Sequence, residues 1–193
     1  MSAQSLETRT VDIDYSSANP DLIYQSLRPE IRQSLSEEQE GLVHALDRFE
    51  APYLQEKLLE EGRFESPEEY KTAFTEFKKF VVLAGLYGGG QGMISKEVDA
   101  VWHQLILFTP QYHEFCQQVL GRYLHHVPTT SFTPLGKDLT QNFIRNYQGT
   151  FGEMPAMWKG DETCDNPSKK DYRCDNPDCA PPGCQEPEPD LKH

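Results

Sequence analysis

Apolar residues recur at three- and four-residue intervals along most of the chain, which is the period of amphipathic helices. The stretch LIYQSLRPEIRQSL predicts a short helix, or a pair of helices broken near Pro29. Ser36 and Gln39 then have the spacing of a capping box, and leucines follow at helical spacing. Pro52 should end or kink that helix, because proline lacks the N–H that an interior helical residue donates. A second piece is expected to stop at Gly62.

The clearest helix signal begins at Ser66. Serine is a preferred capping residue, Pro67 suits the first helical position, and Glu69 completes the reciprocal pair of a capping box. The apolar stripe that follows predicts one wide buried face, made of Tyr70, Phe74, Phe77, Phe80 and Val81. The three glycines at 88–90 should end this helix near Tyr87.

Two more helices are predicted in direct succession. Ser95 is the expected cap of the first, and Thr109-Pro110 is the expected cap of the second, which should end at Gly121. The expected core faces are Val98, Val101, Trp102 and Leu105 on the first helix and Tyr112, Phe115, Cys116 and Val119 on the second. Two prolines then favour an irregular segment, and a last helix is expected from Leu135 to about Tyr147.

These patterns define the fold class and the domains. No alternating run is long enough to predict a sheet, so we expect an all-α fold, a compact bundle of about five or six helices. Residues 1–19 have no amphipathic period and are expected to be a disordered N-terminus. Residues 20–158 are the expected helical domain. Residues 159–193 form a Cys/Pro-rich acidic tail that we expect to be disordered unless something ties it down.

The formal net charge of −13 narrows the expected partners. An acidic surface repels phosphate backbones, and no basic stripe with aromatics occurs, so nucleic acid is not an expected partner. The N-terminus has no apolar core of a secretion signal, and the longest apolar run, FVVLAGLYGGG, is too short to span a bilayer. We therefore expect a cytoplasmic protein with no membrane partner. Cysteines stay reduced in the cytoplasm, which favours metal binding over disulfides.

Candidate chemistry begins with Asp99 and His103. They are four residues apart on a predicted helix, so both side chains fall on one edge of its core face. Such a pair can bind a metal ion, or the aspartate can simply orient the imidazole. His113 is expected at the edge of the next helix, where the two histidine-bearing edges can face each other.

Three more residues nearby are candidate ligands. Cys116 lies near the middle of its core face, where it is either a ligand or a small buried hydrophobe. His125 and His126 follow in an extended segment, and adjacent side chains there point in opposite directions. We therefore expect at most one of these two histidines to join a site with His103 and His113.

The same stretch resembles a known family. VDAVWHQLILFTPQYHEFC…GRYLHHVP is similar to the plant glycine-rich-domain proteins and to a related group of small bacterial proteins of unknown function. The plant proteins carry a second histidine two residues after the first, where this chain has Leu105. The resemblance covers Phe74 to Pro128 and implies an α-helical domain with no established reaction. The positions that match the shared motif are Asp99, Trp102, His103, Pro110, Tyr112, Cys116 and Gly121.

The tail carries a second candidate site. Its cysteines are Cys164, Cys174, Cys179 and Cys184, and the first two each begin the sequence CDNP. Four thiolates can hold Zn²⁺ tetrahedrally, so a second metal site or a redox site is one interpretation. The spacing matches no common zinc knuckle, and the other interpretation is a reduced, disordered tail. The acidic tail is also where a protein partner is expected to bind.

Three classes of function remain open from these observations. The leading hypothesis is a protein that binds Zn or Fe. The expected ligands are Asp99, His103, His113 and one of His125 and His126, with Cys116 as a further ligand. If a coordination position is open, the protein is expected to be an enzyme of unknown substrate. The alternative is a non-catalytic interaction module whose histidines are structural. The third is a cysteine hydrolase, which would pair Cys116 with His103 or His113.

Overall fold

A computed structural model describes residues 22–88, 90–127 and 136–159, all within one unit, Met1–Gly160. These residues form an all-α fold, as predicted, with no strand among them. The expected disorder of residues 1–19 and of the tail concerns residues outside this part. The helices are α1 (Leu22–Ser26), α2 (Pro29–Ser34), α3 (Glu37–Arg48), α4 (Pro52–Glu60), α5 (Pro67–Tyr87), α6 (Lys96–Leu107), α7 (Thr109–Phe115) and α8 (Lys137–Phe151). A π-helical turn, Cys116–Leu120, continues α7, and a 3₁₀ turn, Ala156–Trp158, ends the described chain.

Helix α5 is the centre of the fold, because α1, α3, α4, α6 and α8 all contact it. Its predicted stripe is buried throughout, and much of the core is aromatic. Phe77 and Phe80 both lie against Trp102 of α6, with ring centroids 6.5 and 5.3 Å apart. Helix α6 is therefore fixed on α5 through the side chain next to His103 in the sequence.

The helix starts show which capping signals the structure uses. The Ser36–Gln39 capping box is present in full, and Ser66 and Ser95 each accept a backbone N–H of their helix. Glu69 differs from the prediction: its carboxylate accepts the N–H of Glu65, one residue before the cap.

The second half of the bundle also departs from the sequence pattern. Thr109 and Pro110 lie inside α7, Phe108 occupies the cap position, and no side chain caps this helix. The described ranges contain eight α-helices rather than five or six, because each predicted break, near Pro29, Pro52 and Pro110, separates two short helices. Proline is favoured in a first helical turn, where its missing N–H would have no partner.

Two buried carboxylates fasten the ends of the described chain. Asp47 accepts the backbone N–H groups of Ile23 and Tyr24, at 2.6 and 3.1 Å, and so holds α1 on α3. Glu76 of α5 accepts the indole N–H of Trp158 at 2.7 Å. These contacts hold α1 on α3 and the last described turn on α5.

Candidate metal centre

Asp99 and His103 are neighbours on α6. Asp99 Oδ2 lies 3.5 Å from His103 Nδ1, as the four-residue spacing predicts. The Asp99 side chain is 31% exposed and the His103 side chain is 53% exposed, so the pair lies at the edge of the buried face. Helix α6 thus presents one carboxylate and one imidazole together at the protein surface.

The third member of the cluster is His126, which is 27 residues away from Asp99 in the sequence. Its Nε2 lies 2.9 Å from Asp99 Oδ1, and its ring centroid lies 4.4 Å from that of His103. Its side chain is 13% exposed, so it forms the inner wall of the cluster. One ligand atom from each of these three residues lies within 4.8 Å of the other two. Asp99, His103 and His126 are called the DHH cluster below.

The segment that carries His126 is fixed at several points. Gly121 has φ of +62°, a left-handed conformation that glycine adopts without strain, and it ends the π-helical turn. Arg122 then donates to the carbonyl of Ala84 at the end of α5, at 2.8 Å. Leu124 is buried in the core. These contacts return the chain from α7 to the face of α6.

A chain of hydrogen bonds runs beneath the same segment. The indole N–H of Trp102 donates to the hydroxyl oxygen of Tyr112 at 3.1 Å. The Tyr112 hydroxyl in turn donates to the backbone carbonyl of Leu124. Burial raises the pKa of Tyr112 above its usual value of 10.0, so the phenol keeps its proton and remains a donor.

Trp102 also touches His126 directly. The two ring centroids are 4.6 Å apart and the rings meet edge to face. His126 is therefore confined by Asp99 on one side and by Trp102 on another.

The other predicted ligands lie outside the DHH cluster. His113 is exposed on α7. His125 is exposed and lies against Tyr123, with ring centroids 4.9 Å apart. Cys116 is buried, 1% exposed, and interacts with the Tyr112 hydroxyl. The edge of α6 thus faces the segment after α7 rather than His113 itself.

The four tail cysteines, Cys164, Cys174, Cys179 and Cys184, lie outside the described residues. Among the described residues, the DHH cluster is the group of three or more metal-ligand side chains that the structure brings together. Helical spacing predicts Trp102 and Tyr112 as core residues and does not predict their contacts with the site. Their polar atoms were the available signal, because a buried indole N–H or phenol usually has a hydrogen-bond partner.

The fold and the site define an all-α protein with a two-histidine, one-carboxylate cluster at the edge of one helix. Residues 39–149, more than half of the chain, match the family model described as UCP032817-like, and the chain belongs to that family. The description names no activity or ligand, and the matched range contains the whole DHH cluster. A search of curated proteins found no match. A search of solved structures found none. No helix in the described ranges has the length and apolar content to cross a membrane.

Proposed function

We propose that this chain is a metal-binding helical protein whose DHH cluster holds one divalent cation, Zn²⁺ or Fe²⁺. The observation that supports the proposal is the convergence of three ligand atoms within 4.8 Å, from two separate segments of the chain. Imidazole nitrogen and carboxylate oxygen are donors that both metals accept in proteins.

The spacing of the donor atoms fits a first coordination shell. Bonds of ~2.0–2.1 Å in a tetrahedral arrangement place neighbouring donors about 3.3 Å apart. His126 Nε2 lies 2.9 Å from Asp99 Oδ1 and His103 Nδ1 lies 3.5 Å from Asp99 Oδ2, so each histidine is near this spacing from a different oxygen of the same carboxylate. The three donor atoms lie within 4.8 Å of one another, so binding of one shared ion would draw them closer together.

Three protein donors leave coordination positions open. In zinc enzymes the open position holds a water whose pKa the metal lowers, and in iron enzymes a two-histidine, one-carboxylate set leaves room for oxygen and substrate. The half-exposed His103 marks the solvent side of the DHH cluster. Hydrolytic or oxidative chemistry on a molecule that arrives from this side is the reaction class we propose.

Metal content of the full chain, purified without chelator or affinity tag, tests the proposal. We expect about one equivalent of Zn or Fe in the native chain and a loss of that metal in His103→Ala. His113→Ala is the matched control, because His113 is an exposed histidine on the adjacent helix and lies outside the DHH cluster. Equal metal content in all three proteins would refute the proposed site.

The tail needs a separate variant, since it carries four further candidate ligands. Replacing Cys164, Cys174, Cys179 and Cys184 by serine in the full chain removes every tail thiol. Retention of one equivalent in this variant assigns the metal to the helical body. Its disappearance assigns the metal to the tail and contradicts our proposal for the DHH cluster.

One contact favours the alternative, an interaction module with structural histidines. Asp99 and His126 already form a direct polar contact at 2.9 Å, which satisfies both groups with no ion. In that case reconstitution with Zn²⁺ or Fe²⁺ fails, and His103→Ala changes stability only.

We also propose that the chain is related to the plant glycine-rich-domain proteins and that it is cytoplasmic. A protein partner that binds the acidic tail is a further proposal.

A further inference from the structure

We infer that Tyr112 is a positioning residue for the DHH cluster: its hydroxyl fixes the Leu124 carbonyl and thereby places His126 against Asp99. This inference rests on the proposed metal site for its significance, but the geometry of His126 is measurable in the metal-free protein. Among the described residues, the hydrogen bonds and ring contacts of Tyr112 involve none of the three candidate ligands, so its effect reaches His126 through the backbone of 124–126 and through Trp102.

The Tyr112 hydroxyl forms hydrogen bonds with Trp102 and Leu124 and lies beside the buried thiol of Cys116. It accepts from Trp102 and donates to Leu124, and Tyr112 is 2% exposed. A phenol has one proton, and the N–H of Trp102 points at the oxygen, so the proton is directed to the carbonyl. The acceptor is a backbone atom, which means that the bond fixes the chain path rather than a side chain.

Leu124 and His126 lie on the same side of one chain segment. In an extended segment residues two apart point to the same side, and Leu124 and His126 both turn inward. Their neighbours Tyr123, His125 and Val127 are all exposed. A bond to the Leu124 carbonyl therefore fixes the register that turns His126, rather than His125, towards Asp99.

Trp102 contacts both the Tyr112 hydroxyl and the His126 ring. Its N–H directs the Tyr112 hydroxyl, and its ring lies against the His126 ring. One residue of α6 thus sets both the backbone bond and the ring position. Partners that hydrogen-bond a metal ligand directly lower metal affinity by about 10–100-fold when they are removed, and Tyr112 acts one contact further out.

Tyr112→Phe in the full chain tests this inference, with Zn²⁺ and Co²⁺ as the probes. We expect a weakening of affinity of up to about 10-fold, the lower end of that range, and a changed Co²⁺ visible absorption spectrum, because one ligand is less well placed. Tyr70→Phe is the matched control: Tyr70 is also buried, and its hydroxyl also donates to a backbone carbonyl, that of Ala51 at 3.3 Å. Equal losses in the two variants would overturn the inference, since they would report a general loss of packing.

A double-mutant cycle identifies the path. If Tyr112 acts through His126, Tyr112→Phe changes affinity little once His126→Ala is already present. Independent, additive losses would overturn the inference. If Tyr112→Phe does not fold, Trp102→Phe removes the N–H that directs the Tyr112 proton while it keeps an aromatic ring beside His126. Unchanged His126 ring signals and unchanged metal affinity in that variant would overturn the inference.

Imidazole NMR of the metal-free protein separates this inference from the proposed function. In Tyr112→Phe we expect the His126 ring signals to shift, while those of His44, stacked on Tyr24 in α1, stay in place. If the native chain binds no metal, the proposed function fails, and the positioning inference is still decided by this shift. Unchanged His126 signals would overturn the positioning inference even in a chain that binds metal.

Discussion

Replacement of Glu76 tests how strongly one buried carboxylate holds the end of the fold. Glu76 is 3% exposed and lies on α5. Its Oε2 accepts the Tyr147 hydroxyl at 2.6 Å and the Trp158 indole N–H at 2.7 Å. Its Oε1 accepts from Lys79 at 2.8 Å. Burial and the Glu76 carboxylate together raise the pKa of Tyr147, so its hydroxyl remains a donor at neutral pH.

The magnitude follows from the groups that lose their acceptor. In Glu76→Ala the Tyr147 hydroxyl and the Trp158 N–H stay buried and lose the acceptor of their protons, at about 1–3 kcal/mol each, although the Tyr147 oxygen still accepts from Lys79. Loss of one side of a buried ion pair costs a similar total, about 3–5 kcal/mol. We therefore expect Glu76→Ala to lower the free energy of unfolding by about 3–5 kcal/mol. Glu76→Gln should lose less, because its amide oxygen can still accept from two of the three donors.

Urea denaturation followed by far-UV circular dichroism measures the difference. Glu68→Gln is the matched control, an exposed glutamate on the same helix, where a change within about 0.5 kcal/mol is expected. A Glu76→Ala protein within 0.5 kcal/mol of the native chain would refute the reasoning. Metal affinity of Glu76→Gln should match the native value, because Glu76 is not part of the DHH cluster.

The remaining predictions concern other buried groups. Asp47→Ala should cost about 1.5–3 kcal/mol and speed hydrogen exchange in α1, because two backbone N–H groups lose a charged acceptor. Gly92→Ala should destabilise by about 1–3 kcal/mol, since a Cβ there would lie 3.1 Å from backbone atoms of α8, whereas Gly149→Ala, with nothing within 4 Å, should stabilise by up to ~1 kcal/mol. Stability should fall as pH rises above about 10, by ~1.4 kcal/mol per pH unit for each buried tyrosine, because the raised folded-state pKa keeps a proton that the unfolded chain releases. Burial lowers the pKa of Lys78, so its titration raises the free energy of unfolding as the pH rises, and this rise ends near its usual pKa of 10.5. Above that pH, the urea midpoints therefore report the buried tyrosines Tyr70, Tyr112 and Tyr147. Midpoints that do not move there would contradict this prediction.

Local signals predicted most of the fold correctly. The all-α class, the caps at Ser36, Ser66 and Ser95, and the buried face of α5 all follow from spacing within one or two helical turns. The Asp99–His103 contact is predictable for the same reason, since four residues on a helix bring two side chains together. These features depend on neighbours that are close in the sequence.

Contacts across longer separations were not predictable in the same way. The return of His126 to α6 depends on the π-helical turn, on Gly121 and on the Arg122 contact with Ala84. Hydrophobic periodicity does not distinguish a π turn from a continued α-helix, so His113 was expected beside His103, and the choice between His125 and His126 stayed open. The cap predicted at Thr109 is wrong for a different reason. Phe108 alone separates α6 from α7 and is the cap residue of both helices, so no extended residue is left to place a capping side chain.

The hydrogen-bond chain separates two roles among the polar side chains of α6 and α7. Asp99 and His103 supply candidate ligand atoms, whereas Trp102 and Tyr112 have no charge at neutral pH and act on the site through backbone and ring contacts. A substitution that removes the Trp102 ring would disturb the core next to Phe80, the Tyr112 bond and the His126 ring together. Loss of metal in such a variant would therefore not identify a ligand. Only pairs of variants that differ in one contact, such as Tyr112→Phe against Tyr70→Phe, separate ligation from positioning and positioning from packing.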